Sequence, residues 1–304
     1  MTDRPLVWIP RPVHQDAVTR LGEVAEVRLG FGPHAVTFDE VSDRVAAILL
    51  RTARVDGAMM DRAPRLRIVA RHGVGLDTVD VARARELGIA VTTTPTANAR
   101  SVAEHAVALL LAVRRGIGIA VRNEGDTRAA ISGRELSGAT LGLLGFGRIA
   151  RQVATIGAHG FGMRVLAHDP MVPAAEIAAA GAEPVDLPAL LAGSDNLSLH
   201  VPLVPETRGL LGLPELLALP EGAVVVNTAR GGVLDEDALL TAVRRGHLAG
   251  AGLDVTEVEP LPDDHPLRAE PTVVITPHTG AQTAEALRRM ATEAADHIVE
   301  HLGG

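Results

Sequence analysis

What most constrains this chain is a repeated alternation: short apolar runs bounded by turn residues, each followed by a segment with helical spacing. Residues 6–9, 46–50, 67–70, 89–92, 140–144 and 163–167 are such runs, and the rhythm predicts repeated strand–helix–strand units. Runs that are apolar at every position, such as 224–226 and 273–275, suit strands buried on both faces of a parallel sheet. Right-handed crossovers between such strands give a doubly wound architecture, so the predicted class is α/β. At 304 residues the chain exceeds what one core readily fills, which predicts two domains. Aromatic residues make up only 2% of it, so Ala, Val, Leu and Ile must fill those cores.

Composition also removes several kinds of function. Cysteine is absent, which excludes disulfides, thiolate nucleophiles and Cys-ligated metals, and no metal site is predicted. Lysine is absent too, so all 29 basic residues are arginine and no amine is available for a Schiff base. The formal charge of -8 comes without a basic stripe, which argues against nucleic-acid binding. The apolar stretch 106–113 is far too short to span a bilayer. The N-terminus has no apolar signal core, so a cytoplasmic location is expected.

The most informative motif sits mid-chain. After the run 140–144 come Gly145, Phe146, Gly147, Arg148, Ile149 and Ala150, followed by a helix-compatible stretch, 151–159. In this strand–turn–helix setting GxGxxA is a dinucleotide fingerprint. Gly145 permits the tight turn, Gly147 lets a pyrophosphate approach the backbone, and Ala150 lets helix and strand pack closely. The next run, 163–167, is followed by Asp169, where a ribose-binding carboxylate is expected. A carboxylate only accepts hydrogen bonds and repels a 2′-phosphate, and Pro170 and Met171 supply no cation, so NAD is favoured over NADP. A fingerprint starting this late implies that another domain precedes it. The helix-like segment 101–115 would bridge the two, and the helical segment 281–302 could return to the first.

Polar residues follow other apolar runs: Arg230 after 224–226, Asp254 after Gly250 and Gly252, and His278 after 273–276. In a doubly wound sheet such strand-end positions can converge on a ligand. With NTARGGVLDE (227–236), AGLDVTEVEP (251–260) and TPHTGA (276–281) in this order, the chain resembles the D-2-hydroxyacid dehydrogenase family. The resemblance also runs through RHGVGLDTVD (71–80), NARSVAEH (98–105), LGLLGFGRIARQVA (141–154) and LHVPLVPETRGLL (199–211).

That resemblance implies a Rossmann NAD-binding domain, 95–280, inserted into a flavodoxin-like substrate domain formed by 1–94 and 281–304, with the active site in the cleft between them. It implies hydride transfer between NAD and a small 2-hydroxy or 2-oxo acid. Arg230 would bind the substrate carboxylate with its permanently charged fork. His278 would move the proton, with Glu259 orienting its ring and favouring the imidazolium. Asp254 would bind the nicotinamide end. Phe146, Arg148, Ile149, His200, Val201, Pro202, Thr207, Thr228 and Ala229 would join Gly145, Gly147 and Asp169 around the cofactor. Arg51, Val74, Gly75 and Asn98, with Arg71 as a further helper, would face the substrate.

NARSVAEH and RHGVGLDTVD look most like the 3-phosphoglycerate dehydrogenases, which makes 3-phosphoglycerate the leading substrate, in a short form without the regulatory domain. The segment 125–136 departs from those enzymes, with Thr127 and Ala129 at characteristic positions and Arg128 the nearby cation. Glyoxylate or hydroxypyruvate reduction therefore stays open. Phosphite dehydrogenases use a lysine where this chain has Val74, and formate dehydrogenases replace the glutamate found here as Glu259. A reading from another class is an NAD(H)-sensing binding protein similar to the C-terminal binding proteins. A homodimer is expected, with 114–135 as its arm.

Overall fold

The computed structural model describes residues 4–122 and 131–303. The chain forms two compact units, one comprising the residues up to Asn98 together with those from Gln282 onward, the other Ala99–Ala281.

The first unit is built on five parallel strands: β1 (Leu6–Ile9), β2 (Glu26–Leu29), β3 (Val45–Leu50), β4 (Ile68–Arg71) and β5 (Ala90–Thr92). They lie in the order β2-β1-β3-β4-β5. Alternate residues of a strand face opposite sides of the sheet, so both faces must be covered. Leu6, Trp8, Ile48, Leu50 and Val69 pack on one side with Phe38 and Met60. Val7, Ile9, Ala47, Leu49, Ile68 and Ala70 pack on the other, beneath the helices Gln15–Val24 and Ala284–Gly303. Ala291, Ala294 and Ala295 are fully buried, and their small side chains let the terminal helix lie against β3 and β4.

The second unit holds seven parallel strands: β6 (Thr140–Leu144), β7 (Arg164–His168), β8 (Glu183–Pro184), β9 (Asn196–Leu199), β10 (Ala223–Asn227), β11 (Leu248–Leu253) and β12 (Val273–Ile275). Their order is β12-β11-β10-β9-β6-β7-β8. The chain starts mid-sheet at β6, runs outward to β8, and returns to β9 beside β6. That reversal leaves a crevice at the carboxyl ends of β6 and β9, the topological switch point where doubly wound sheets bind ligands.

Both units are thus doubly wound α/β sheets, and the Ala99–Ala281 unit has the Rossmann strand order. The helix Ala99–Arg114 lies within that second unit and packs on β10, β11 and the helix Arg148–Thr155. Its last residue, Arg114, is buried and donates to Asn196 Oδ1 (2.5 Å), the Gly222 carbonyl (3.1 Å) and the Asp195 carbonyl. Three acceptors offset the cost of burying the guanidinium. The helix after the glycine turn ends at Thr155 and continues as one π turn, Ile156–Gly160. Residues 123–130 of the proposed dimer arm, including Thr127, Arg128 and Ala129, lie outside the described residues. Among the described residues no helix is long and apolar enough to cross a membrane.

His72, just past β4, is only 4% exposed, and its Nε2–H donates to the Leu287 carbonyl of the terminal helix at 3.2 Å. Burial, reinforced by the charges of Arg51 and Arg71, pushes its pKa down from 6.5 to about 4. Below 6.5 the unfolded chain takes up a proton that the folded chain refuses. The stability from a neutral His72 is therefore complete above that pH and lost as pH falls toward 4. The loss over this window is about 3 kcal/mol. Denaturant unfolding from pH 7 to 4 should show a shallower decline for His72→Gln than for the wild type; parallel curves would contradict it.

Candidate active site

β10, β11 and β12 are adjacent and parallel, so their carboxyl ends lie side by side. Arg230, the loop Asp254 to Glu259, and His278 leave those three ends in turn. Asn227, 1% exposed at the end of β10, brackets the first turn. Its Nδ2 donates to the Arg230 carbonyl (2.9 Å), and its Oδ1 accepts from the Ala229 N–H (3.0 Å). A Cβ on Gly231 would run into the backbone of Thr256 and Glu257. That glycine therefore lets the Arg230 turn lie directly against the loop that carries Glu259.

The loop is itself pinned. Glu257 N–H donates to Glu236 Oε1 (2.6 Å), and Thr256 N–H donates to Glu259 Oε1 (3.3 Å). The other oxygen of Glu259 meets His278 Nδ1 at 2.7 Å. An Nδ1–H held by a carboxylate leaves Nε2 as the ring nitrogen that exchanges protons, and the His278 side chain is half exposed. The Glu259 bond raises the His278 pKa above its ordinary value, against burial and the nearby Arg230 charge.

His278 is the one non-glycine residue with positive φ, 53°, among the described residues. A left-handed backbone at a bulky residue persists only when its surroundings hold it. Here the holder is Asp254, 3% exposed. Its carbonyl accepts the His278 N–H at 2.9 Å. Its Oδ1 accepts from the Thr276 hydroxyl (2.6 Å) and the Thr279 N–H (2.7 Å), and its Oδ2 from the Gly280 N–H (2.8 Å). Burial pushes this carboxyl up, but bonds from His105, Thr276, Thr279 and Gly280 outweigh it and hold the pKa below the ordinary value. His105, Thr276, Asn227 and Glu236 are thus part of the site's framework. None of them shows this framework role in sequence: His105 and Glu236 are polar residues within helices, Thr276 lies in a loop, and Asn227 is only one of several polar residues at a strand end.

The nucleotide motif occupies the carboxyl ends of β6, β7 and β9. Gly145 has φ +91°, and a Cβ there would lie 2.8 Å from the His200 backbone, so this turn requires glycine. Gly147 caps the helix Arg148–Thr155 without any side-chain bond, and a Cβ on it would meet nothing within 4 Å. Open helix N–H groups suit a pyrophosphate. Asp169 accepts from Phe146 N–H (2.8 Å) through one oxygen and Met171 N–H (2.9 Å) through the other. Each oxygen keeps a lone pair for a ribose hydroxyl. Phe146 is buried, while Arg148 is exposed and Ile149 half-buried.

Further along, burial lowers the His200 pKa to about 4, so its ring is neutral and bonds Ser198 Oγ at 2.9 Å. Val201 borders Gly145. The Thr207 hydroxyl donates to the Pro202 carbonyl (2.5 Å) and accepts the Val204 N–H (3.0 Å), shaping that loop. Thr228 Oγ1 is buried without a partner, as a side chain awaiting a ligand would be. These features fit a dinucleotide.

Arg51, Val74, Gly75 and Asn98 belong to the first unit. Arg51 donates to the Pro12 carbonyl (2.8 Å) and Gln282 Oε1 (2.9 Å). Val74 is 44% exposed, and the Gly75 carbonyl accepts from Arg71 Nε (2.9 Å). Asn98 Oδ1 is buried and unpaired. Arg71 also donates to the carbonyls of Leu50 and His72, so it holds the glycine loop from behind.

Known proteins resemble this chain along nearly its whole length. Residues 107–280 match the family described as D-isomer specific 2-hydroxyacid dehydrogenase, NAD binding domain. D-3-phosphoglycerate dehydrogenase of Mycobacterium leprae is 44% identical over 306 residues, covering 99% of this chain and 58% of that protein. The chain therefore spans little more than half the length of that relative. Hydroxypyruvate reductase of Thermotoga maritima is 42% identical over 270 residues, 87% of each chain. The crystal structure of the TT0316 protein from Thermus thermophilus superimposes with a TM-score of 0.88 at 39% identity, covering 98% of this chain and 97% of that one. The chain belongs to the D-2-hydroxyacid dehydrogenase family, and its second unit contains that family's NAD-binding domain.

Two outcomes follow. Glu259→Gln removes the charge that raises the His278 pKa, so the ring-proton NMR titration of His278 should move to lower pH; an unmoved titration would disprove the pairing. A methyl on Gly280 would sit 2.8 Å from Asp254 Oδ2, so Gly280→Ala should cost about 1–3 kcal/mol, read as a lower Tm.

Proposed function

We propose that the chain is an NAD-dependent dehydrogenase interconverting a small 2-hydroxy acid and its 2-oxo acid. The observation that carries this reading is the His278 Nδ1 to Glu259 Oε2 bond of 2.7 Å beside the Arg230 turn. A proton-transfer group and a fixed cation then stand at the ends of β12 and β10, on either side of the β11 loop that carries Glu259. Gly145, Gly147, Asp169 and Thr228 would hold NAD, with the other fingerprint and strand-end positions (Phe146, Arg148, Ile149, His200, Val201, Pro202, Thr207, Ala229) shaping its surroundings. When bound, NAD supplies or accepts the hydride at the substrate carbon.

The protein's own groups do the rest. Arg230 engages the substrate carboxylate and polarises the adjacent carbonyl with donors that never lose their charge. In reduction, His278 Nε2–H gives its proton to the carbonyl oxygen as the carbon receives the hydride; in oxidation the neutral ring takes that proton back. Glu259, bonded to Nδ1, lies beside the imidazolium as its counter-charge. Asp254 orders the turn under His278, and its placement below the nicotinamide end remains part of this proposal.

The leading substrate is 3-phosphoglycerate, supported by the segments 71–80 and 98–105 and by the similarity to phosphoglycerate dehydrogenases. Glyoxylate or hydroxypyruvate reduction is the second reading. It is favoured by Arg51 and Arg71, whose guanidinium groups bond protein oxygens at 2.8–3.2 Å. Arg51, Val74, Gly75 and Asn98 are assigned to substrate binding. A cytoplasmic homodimer is part of the same proposal.

NADH oxidation should be measured against phosphohydroxypyruvate, hydroxypyruvate, glyoxylate and bulkier 2-oxo acids. Turnover of one of them should fall about 10²–10⁴-fold in His278→Ala and be largely lost in Arg230→Ala. NADH binding without turnover of any acid would instead support a nucleotide-sensing protein.

A further inference from the structure

His105 touches neither Glu259 nor the His278 ring in any bond described above, yet it points at the turn that carries His278. It belongs to the helix Ala99–Arg114, one turn before Leu109 on the same face. Leu109 seats on Gly252 of β11, where any Cβ would come within 2.8 Å of Leu109 Cβ. That close approach lets the helix deliver His105 to the end of the strand. There His105 Nε2 is 2.9 Å from Thr276 Oγ1 and 3.2 Å from Asp254 Oδ1. Its side chain is largely buried.

Proton counting fixes the direction of these bonds. The Asp254 carboxylate only accepts, and the single Thr276 hydroxyl proton goes to it at 2.6 Å. Thr276 Oγ1 can then only accept from His105, so Nε2 carries the hydrogen and donates to the hydroxyl and the carboxylate together. Asp254 in turn holds the N–H groups of Thr279 and Gly280 through its carboxylate, and that of His278 through its carbonyl. A continuous chain of donors thus runs from a helix to the left-handed backbone of His278.

We propose that His105 is a positioning residue, which through Thr276 and Asp254 holds the strained turn that presents His278 to Glu259. This rests on the dehydrogenase reading above. Without the His105 donor, Asp254 loses part of the compensation for its burial, and the turn at His278 relaxes toward ordinary backbone. The His278–Glu259 pair then loosens. Arg230 is held separately by Asn227, so substrate affinity is not what His105 supports.

Three variants test this. His105→Phe removes the donor, His105→Gln keeps an N–H near the Nε2 position, and Thr276→Val breaks the relay without touching His105. The first readout is the ring-proton NMR titration of His278 in the cofactor-free protein, identified by its disappearance in His278→Ala. His278 is faced by the charges of Glu259, Asp254 and Arg230, whose side chains all three variants keep. His105→Phe and Thr276→Val should lower the His278 pKa, and His105→Gln should restore it. The second readout is turnover: kcat should fall about 10- to 100-fold in Phe and Val, with KM for the oxo acid little changed and Gln recovering most of the rate.

An unshifted His278 titration in Thr276→Val, or one in His105→Phe despite lost stability, would overturn the proposal and leave His105 as packing alone. If the wild type reduces no 2-oxo acid, the dehydrogenase reading fails, while the titrations still decide whether His105 holds the turn.

Discussion

The end of the second sheet that carries His278 depends on one buried carboxylate. Asp254 carries charge at 3% exposure, where an uncompensated carboxylate would simply take up a proton. Every oxygen it has is therefore engaged, and the engaged partners are the loop that carries His278. Charge burial and loop geometry are the same interaction seen from two sides. The loop cannot relax without stranding the carboxylate, and the carboxylate cannot stay ionised without the loop.

Three glycines make that arrangement possible by their lack of a side chain. Gly252 admits the helix that carries His105, Gly231 admits the Arg230 turn against the Glu259 loop, and Gly280 leaves room for Asp254 Oδ2. At each place a methyl group would occupy space now filled by backbone, a carboxylate or Leu109 Cβ. The strand ends are adjacent because the sheet is parallel, but adjacency alone spaces them a strand apart. Close contact between their loops comes from these small residues.

Much of this was legible in the sequence, and the parts that were not share a cause. The apolar runs 6–9, 140–144 and 273–275 became β1, β6 and β12 within the same bounds, because burial on both faces leaves a nearly continuous hydrophobic signature. β2, with Glu26 and Arg28 on a sheet edge, has no such signature. β11 hides for the opposite reason: its Gly250 and Gly252 carry no strand propensity, and they are there to let Thr272 and Leu109 approach. The fingerprint from Gly145 to Ala150 was readable because its chemistry is in the backbone turn. Arg230 and His278 were marked only as polar positions at strand ends, and Glu259 and all three roles came from the resemblance, since one histidine of 12 has no local mark of its chemistry. His105 and Asn227 stayed hidden because their role is to bond residues far along the chain.

The charges around His278 show why the site needs two kinds of support. Glu259 raises the pKa of the ring above its ordinary value, against the opposing pull of burial and Arg230. That balance is set by distance, and a half-exposed side chain on an unstrained loop would wander through many distances. The left-handed turn, locked from below by Asp254 and its donors, fixes where the ring begins; Glu259, tied to Thr256 through its other oxygen, fixes where it ends. A titrating group with both ends fixed can have a proton affinity defined by neighbouring charges and not by solvent, as the proton transfer proposed for His278 requires.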